Sequence, residues 1–255
     1  MNTSISDKDS YVQICRAAAE NDNIFRQFKR YPQYQEILEH CSREQGQAYL
    51  DEIHKIQSDY NLPTIQTYLD NFLQNDLFGD PITFTYLELG VSISPSTLRY
   101  IKVAYELWAT FGRLDNLHIT EIGGGYGGQC KVLSDIFNFA SYTIIDLEVA
   151  NMLQHRYLNT LGVKNVYLAS SLDNGFKSDL AISNYAFSEC HGDIQERYLE
   201  KILQNSARGY MTLNQIGPEM KPMPYDVLAE HLSGTLIDEV PNTHPENKIL
   251  IWGTK

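Results

Sequence analysis

The chain has little of what marks several functional classes. Its four cysteines, Cys15, Cys41, Cys130 and Cys190, are scattered, with neither a Cys-x-x-Cys pair nor the spacing of a metal site. Reduced, mostly buried thiols are therefore expected, as in a cytoplasm. Basic residues are outnumbered, 20 Lys and Arg against 32 Asp and Glu for a formal net charge of −12, and no Lys/Arg cluster interrupts that balance. A nucleic-acid partner is not expected, because a phosphate backbone calls for a positive surface. No apolar run approaches the roughly 20 residues of a membrane span, and the segment Met1 to Ser10 lacks the basic and apolar regions of a signal peptide. A soluble, cytoplasmic protein without a membrane partner is the expectation. No solenoid-like repeat is present, and 255 residues leave room for one large α/β domain plus a helical extension.

Strand signal is scarce from about Ser10 to Gly112. Apolar residues there recur at helical spacing, as in Ile53, Ile56 and Tyr60, with breaks at Pro32, Gly46, Pro63 and Gly79-Asp80-Pro81. The last helix is the clearest. Ser94-Pro95 opens it, Leu98, Ile101, Val103, Ala104, Leu107 and Trp108 form a broad apolar face, and Gly112 stands where it should stop. Residues 1–112 are thus predicted to form a helical region able to supply a lid, acceptor contacts or the surface of a homodimer.

From His118 onward strands and helices alternate: strand 118–123, helix 127–139, strand 141–147, helix 148–161, strands 164–169 and 179–186, helix 193–207, strand 209–216. Such alternation implies a parallel sheet covered by helices on both faces. Between the first strand and its helix lies Glu121-Ile122-Gly123-Gly124-Gly125-Tyr126-Gly127-Gly128-Gln129. Glycines at such a bend allow a tight turn and a close approach of backbone to ligand. An isolated Gly-x-Gly would more simply end a strand. Here Ser141 to Leu147 follows as a second buried strand, and Asp146 at its end sits about 20 positions past the glycines, where a carboxylate can accept from both hydroxyls of a ribose. Capping of the next helix is the plainer role for Asp146, and the two are compatible. The acidic Glu121 chooses between cofactors. A pyrophosphate sits badly beside a carboxylate, whereas a cationic amino and sulfonium group is favoured by it, so S-adenosylmethionine (SAM) is preferred to NAD.

The chain ends differently. Leu236 to Val240 and Ile249 to Trp252 are apolar strands separated by too few residues for a parallel crossover, so they should run antiparallel. The expected fold is α/β: a seven-stranded, mostly parallel, Rossmann-like sheet over residues 113–255 with an antiparallel terminal strand, as in class I methyltransferases, preceded by the helical extension.

These residues make the chain similar to the sugar O-methyltransferase family of class I SAM-dependent enzymes. The resemblance runs from about Ile93 to the C-terminus. It is carried by Ser94-Pro95-Ser96-Thr97-Leu98-Arg99-Tyr100, the glycine turn, Tyr142 to Leu147, Ser183-Asn184-Tyr185-Ala186-Phe187-Ser188-Glu189, His244-Pro245-Glu246-Asn247 and Trp252-Gly253. It implies that Glu121, Gly123, Gly124, Gly125 and Tyr126 hold the methionine part of SAM and that Asp146 and Leu147 hold the ribose. It further implies that Ser170, Ser171 and Leu172 meet the adenine, while Asn184 and Tyr185 line the methyl-transfer pocket. The helix of Arg99 and Tyr100 precedes the cofactor strand and could fold over the methionine carboxylate, where a guanidinium makes a bidentate contact. The sugar acceptor, free or nucleotide-activated, comes from the family alone.

Methyl transfer to a hydroxyl needs alignment and a base. His191, just past the fourth strand, is the first candidate, since imidazole exchanges protons near neutral pH; a solvated loop histidine or a cap for the helix opening at Asp193 is the alternative. His244 is its rival. Glu189 could orient an imidazole, bind sugar hydroxyls or pair with Arg197, and Asn214 and Gln215 offer neutral donors and acceptors. A divalent cation could acidify the acceptor hydroxyl through Glu189, His191, Asp193 and His244, but their spacing selects no metal ligands. Other small-molecule acceptors, an NAD-dependent oxidoreductase and a non-catalytic SAM-binding module are the competing readings.

Overall fold

The computed structural model describes residues 9–172, 178–215 and 217–254. Most of the segment read for a signal peptide, residues 1–8, and Ile216 at the end of the expected fifth strand lie outside the described residues.

Chain order begins with α1 (Asp9–Glu20), α2 (Asp22–Phe25), α3 (Pro32–Gln35), α4 (Arg43–Tyr60) and α5 (Leu69–Phe72). Then come β1 (Phe84–Tyr86), β2 (Val91–Ile93) and α6 (Pro95–Phe111). The alternating part follows with β3 (His118–Ile122), α7 (Gly128–Ile136), β4 (Ser141–Ile145), α8 (Glu148–Thr160), β5 (Val166–Ala169), β6 (Leu180–Asn184), α9 (Gly192–Lys201) and β7 (Gly209–Leu213). It closes with α10 (Tyr225–Leu232), β8 (Thr235–Asp238) and β9 (Lys248–Trp252).

Local chemistry sets the two long N-terminal helices. Ser42 caps α4 by accepting from the Gln45 amide while the Gln45 side chain accepts from the Ser42 amide, a reciprocal capping box. Ser94 accepts from the Thr97 amide at 3.1 Å, with Pro95 as the first helical residue of α6. Gly46, which the sequence suggests as a break, lies inside α4. Its missing side chain makes room for Tyr86, whose hydroxyl would stand 1.9 Å from an added Cβ. Tyr86 belongs to the β1–β2 hairpin, which the helical pattern of this region does not announce: two antiparallel strands of three residues are too short to display alternation.

The main sheet has seven strands in the order β5-β4-β3-β6-β7-β9-β8. Strands β3 to β7 are parallel, and β9 is antiparallel to both β7 and β8. This is the Rossmann-like methyltransferase arrangement. Successive residues serve opposite faces. Ile119, Ile144, Ile182 and Tyr210 join one core cluster, while Ile122, Ile145, Ala181 and Met211 join another. The first cluster also contains Tyr11, Ile53, Leu98 and Ile101, so the N-terminal helices share a core with one face of the sheet. Each fully buried Leu or Ile there contributes about 1.5–3 kcal/mol of burial free energy. The parallel strands all end at one edge, where open α/β sheets bind ligands.

Candidate active site

At that edge the chain leaves β3 through Gly123 (φ 74°) and Gly125 (φ 57°), both in the left-handed region that favours glycine. Neither position admits a side chain. A Cβ on Gly123 would fall 2.0 Å from Cβ of Ala186, and one on Gly125 would fall 2.8 Å from Cδ1 of Leu38. The backbone of Gly123 and Gly125 thereby borders the cavity in front of the turn.

Asp146, just beyond β4, ties that turn down. Its carboxylate accepts from the Gly125 amide (3.1 Å), the Leu147 amide (2.8 Å) and Gln154 Nε2 (2.8 Å). Burial pushes its carboxyl up to about 6, against these hydrogen bonds, which favour the ionised form.

Turn and carboxylate open onto a cavity of about 840 Å³, large enough for a nucleotide-sized ligand and a second small molecule. Its floor comes from strand ends: Ile122 and Gly123 at the end of β3, Ile145 to Leu147 at the end of β4, Ser170 to Leu172 after β5, Asn184 and Tyr185 at the end of β6, Asn214 and Gln215 after β7. Opposite them stand Tyr11, Leu38, His40, Cys41 and Tyr49 from the N-terminal helices and their loops, with Arg99 from α6. Glu189, Thr243, His244 and Asn247 complete the far end.

Several polar atoms in this wall are buried without a partner. Arg99 Nε, Asn184 Oδ1 and Asn247 Oδ1 are the three that belong to cavity residues. An unpaired buried group costs about 1–3 kcal/mol, which marks places where a ligand or water completes the structure. The Arg99 guanidinium lies 5.5 Å from the Tyr100 ring centroid and 5.8 Å from that of Tyr185, and no salt bridge to Arg99 occurs among the described residues. Asn214 Nδ2 donates to Glu189 Oε1 at 2.9 Å. Burial raises the Glu189 carboxyl above the ordinary glutamate range, opposed by this bond and by Arg99.

Five residues expected at the site stand elsewhere. Glu121 does not line the cavity; it is buried behind the turn, where Tyr142 donates to it at 2.9 Å. Burial first, and the charge of Asp146 in addition, push its carboxyl up to about 8, which favours the protonated form. Gly124 turns away, its Cβ position 2.6 Å from Ile144 Cγ2. Tyr126 is fully buried in an aromatic cluster with Phe28, Tyr100 and Tyr157, its hydroxyl accepting from Asn75 and its face covered by Lys29 at 4.0 Å. Tyr100 belongs to the same cluster and not to the cavity wall. The side chain of His191 caps α9, accepting from the Asp193 amide at 3.4 Å, and lies outside the cavity. The plain capping role, and not that of a base, fits this position.

Other contributors have no signature in the sequence. Leu38 and Tyr49 reach the cavity only because α1 to α4 fold back over the sheet edge. Glu239, at the end of β8, is buried behind the wall and receives hydrogen bonds from Tyr185, Thr243 and Asn247. Burial alone would raise its carboxyl, but those bonds outweigh it and hold it below the usual range. Among the described residues no group of three or more His, Cys, Asp and Glu side chains is placed to hold a metal ion, and no helix is long and apolar enough to cross a membrane.

No protein-family model and no curated protein matches the chain. Among solved structures it is similar to a SAM dependent methyltransferase from Aquifex aeolicus, at 17% identity over 58% of this chain and 87% of that one, with a TM-score of 0.43. It is also similar to the mitomycin 7-O-methyltransferase MmcR, at 14% identity over 62% and 54% of the two chains with a TM-score of 0.45. An rRNA methylase from Streptococcus thermophilus matches at 18% identity over 54% and 87%, with a TM-score of 0.41.

Proposed function

We propose that the chain is a SAM-dependent O-methyltransferase that acts on a hydroxyl of a small sugar or sugar-like acceptor. The observation that carries this reading is the joining of a side-chain-free turn and the Asp146 carboxylate on one wall of a cavity of about 840 Å³. The residues present fit the cofactor. Asp146, with the Leu147 backbone, accepts from ribose hydroxyls; the polar Ser170 and Ser171 and the apolar Leu172 meet the adenine; Gly123 and Gly125, lacking side chains, leave room for the methionine part. Arg99, buried without a carboxylate partner, suits the methionine carboxylate. When bound, SAM supplies an electrophilic methyl on a sulfonium.

The chain's own work is positioning and proton removal. Asn184 and Tyr185 border the transfer point at the end of β6. Tyr185 is held there in a left-handed backbone conformation (φ 70°) by the hydrogen bond its amide donates to Thr212 O at 2.8 Å, a strained geometry of the kind found at functional sites. Glu189 takes the acceptor proton: it lines the cavity, Asn214 orients it, and burial raises its basicity. His244 also lines the cavity and is the second candidate. Glu121 acts from behind the turn, where a bound cation favours its ionised form. The N-terminal helices and their loops act as a cover over the cavity, through Tyr11, Leu38, His40, Cys41 and Tyr49.

The test is calorimetric titration with S-adenosylhomocysteine and with NAD, followed by transfer of labelled methyl from SAM to a panel of sugars and nucleotide sugars. Binding of the first ligand and not the second is expected. Binding of NAD alone would overturn the reading in favour of an oxidoreductase, and cofactor binding without transfer to any acceptor would favour a non-catalytic SAM-binding module.

A further inference from the structure

Behind the acceptor end of the cavity, Glu239 organises two wall residues in the same sense. Tyr185 commits its phenolic hydrogen to Glu239 Oε1. Asn247 Nδ2 donates to Glu239 Oε2 at 3.0 Å and to Thr243 Oγ1 at 2.9 Å, while the Thr243 amide (3.1 Å) and hydroxyl (2.5 Å) themselves donate to Glu239. The orientation of the Asn247 amide is therefore settled: a flip would turn its oxygen against a carboxylate. Its backbone is fixed as well, by donation to His244 O at 3.0 Å. Asn247 is 4% exposed, lines the cavity, and its Oδ1 has no partner.

With the Tyr185 and Asn247 donors turned back toward Glu239, what they have left for the cavity is lone pairs. Glu189 adds a carboxylate to the same cavity. Acceptors at these positions call for donors on the part of the ligand that meets them. Among donor-rich ligands a neutral polyol brings no charge to desolvate against this wall. We propose that Asn247 is a specificity-determining residue that reads a hydroxyl of a pyranose-type acceptor, with Glu239 as the positioning residue that fixes its orientation. The assignment rests on the methyl-transfer reading of this cavity and extends it to the chemistry of the acceptor.

The experiment uses the full chain saturated with S-adenosylhomocysteine and titrated with methyl α-D-glucopyranoside, methyl α-D-galactopyranoside and methyl α-D-mannopyranoside by saturation-transfer NMR. Wild-type protein is expected to bind at least one pyranoside. Asn247→Leu removes the acceptor, and Glu239→Gln lets the donors turn; each should weaken that binding about tenfold while cofactor affinity stays within about twofold. Cofactor affinity serves as the check that each variant is folded, so either variant alone suffices. Equal pyranoside binding by wild type and variants would overturn the role of Asn247 and leave the methyltransferase reading standing. A wild-type complex that binds none of the three pyranosides would overturn the role of Asn247 together with the sugar acceptor. Failure to bind S-adenosylhomocysteine would remove the cofactor reading itself.

Discussion

Tyr142 donates its phenolic hydrogen to the buried carboxylate of Glu121 over 2.9 Å, from the neighbouring strand and beneath the glycine turn. The pair makes a testable link between pH and stability. The folded carboxyl titrates at about 8 against 4.5 for the free group, so its protonated form stabilises the fold fully below about 4.5, and that contribution is lost as pH rises through about 8. The ligand-free melting temperature of Glu121→Gln should therefore gain on that of wild type from pH 5 to pH 9. A constant difference across that range would show that Glu121 is already ionised in the folded protein.

Gly123 lies against Ala186, with 2.0 Å between the Ala186 Cβ and the place a Cβ would take. Gly123→Ala should cost about 1–3 kcal/mol by urea denaturation, from overpacking and from left-handed strain. Adding Ala186→Gly removes the overlap but not the strain, so the double variant should recover part of the loss. No recovery would mean that the close approach is not what excludes a side chain.

Asp146 is the carboxylate on which the cofactor assignment depends most. In Asp146→Asn one of the oxygens that accept from Gly125, Leu147 and Gln154 becomes a donor. Affinity for S-adenosylhomocysteine should fall at least about tenfold by calorimetry. Unchanged affinity would place the ribose elsewhere.

Arg99 can be assigned to one end of the cofactor by comparing two ligands. Arg99→Gln should weaken S-adenosylhomocysteine about 10- to 100-fold, the magnitude of a charge-assisted hydrogen bond, and leave 5′-methylthioadenosine, which has no carboxylate, unaffected. An equal loss for both ligands would assign Arg99 a structural role.

Much of the architecture is readable from pattern. The antiparallel end of the sheet follows from the short connection between β8 and β9, because a crossover helix does not fit in it. The glycine turn and Asp146 lie on adjoining elements, so the strand-turn-helix-strand sequence itself brings them to one sheet edge. The hairpin of β1 and β2 escaped because its strands are shorter than one clear period, and Gly46 misled because the partner that needs its empty space, Tyr86, is 40 positions away.

Side-chain direction is where the two levels part. Gly124 and Tyr126 stand beside Gly123 and Gly125 in the chain yet face the opposite way, and His191 follows the cavity residue Cys190 yet turns back to cap its helix. Backbone sterics and hydrogen bonds act over a few residues, so they write strands, turns and caps directly into a local pattern. The walls of the cavity, with Leu38 and Tyr49 on one side and Glu239 drawing in Tyr185 and Asn247 on the other, arise from packing between segments far apart in the chain. No single stretch encodes that packing, and it exists only once the whole core has formed.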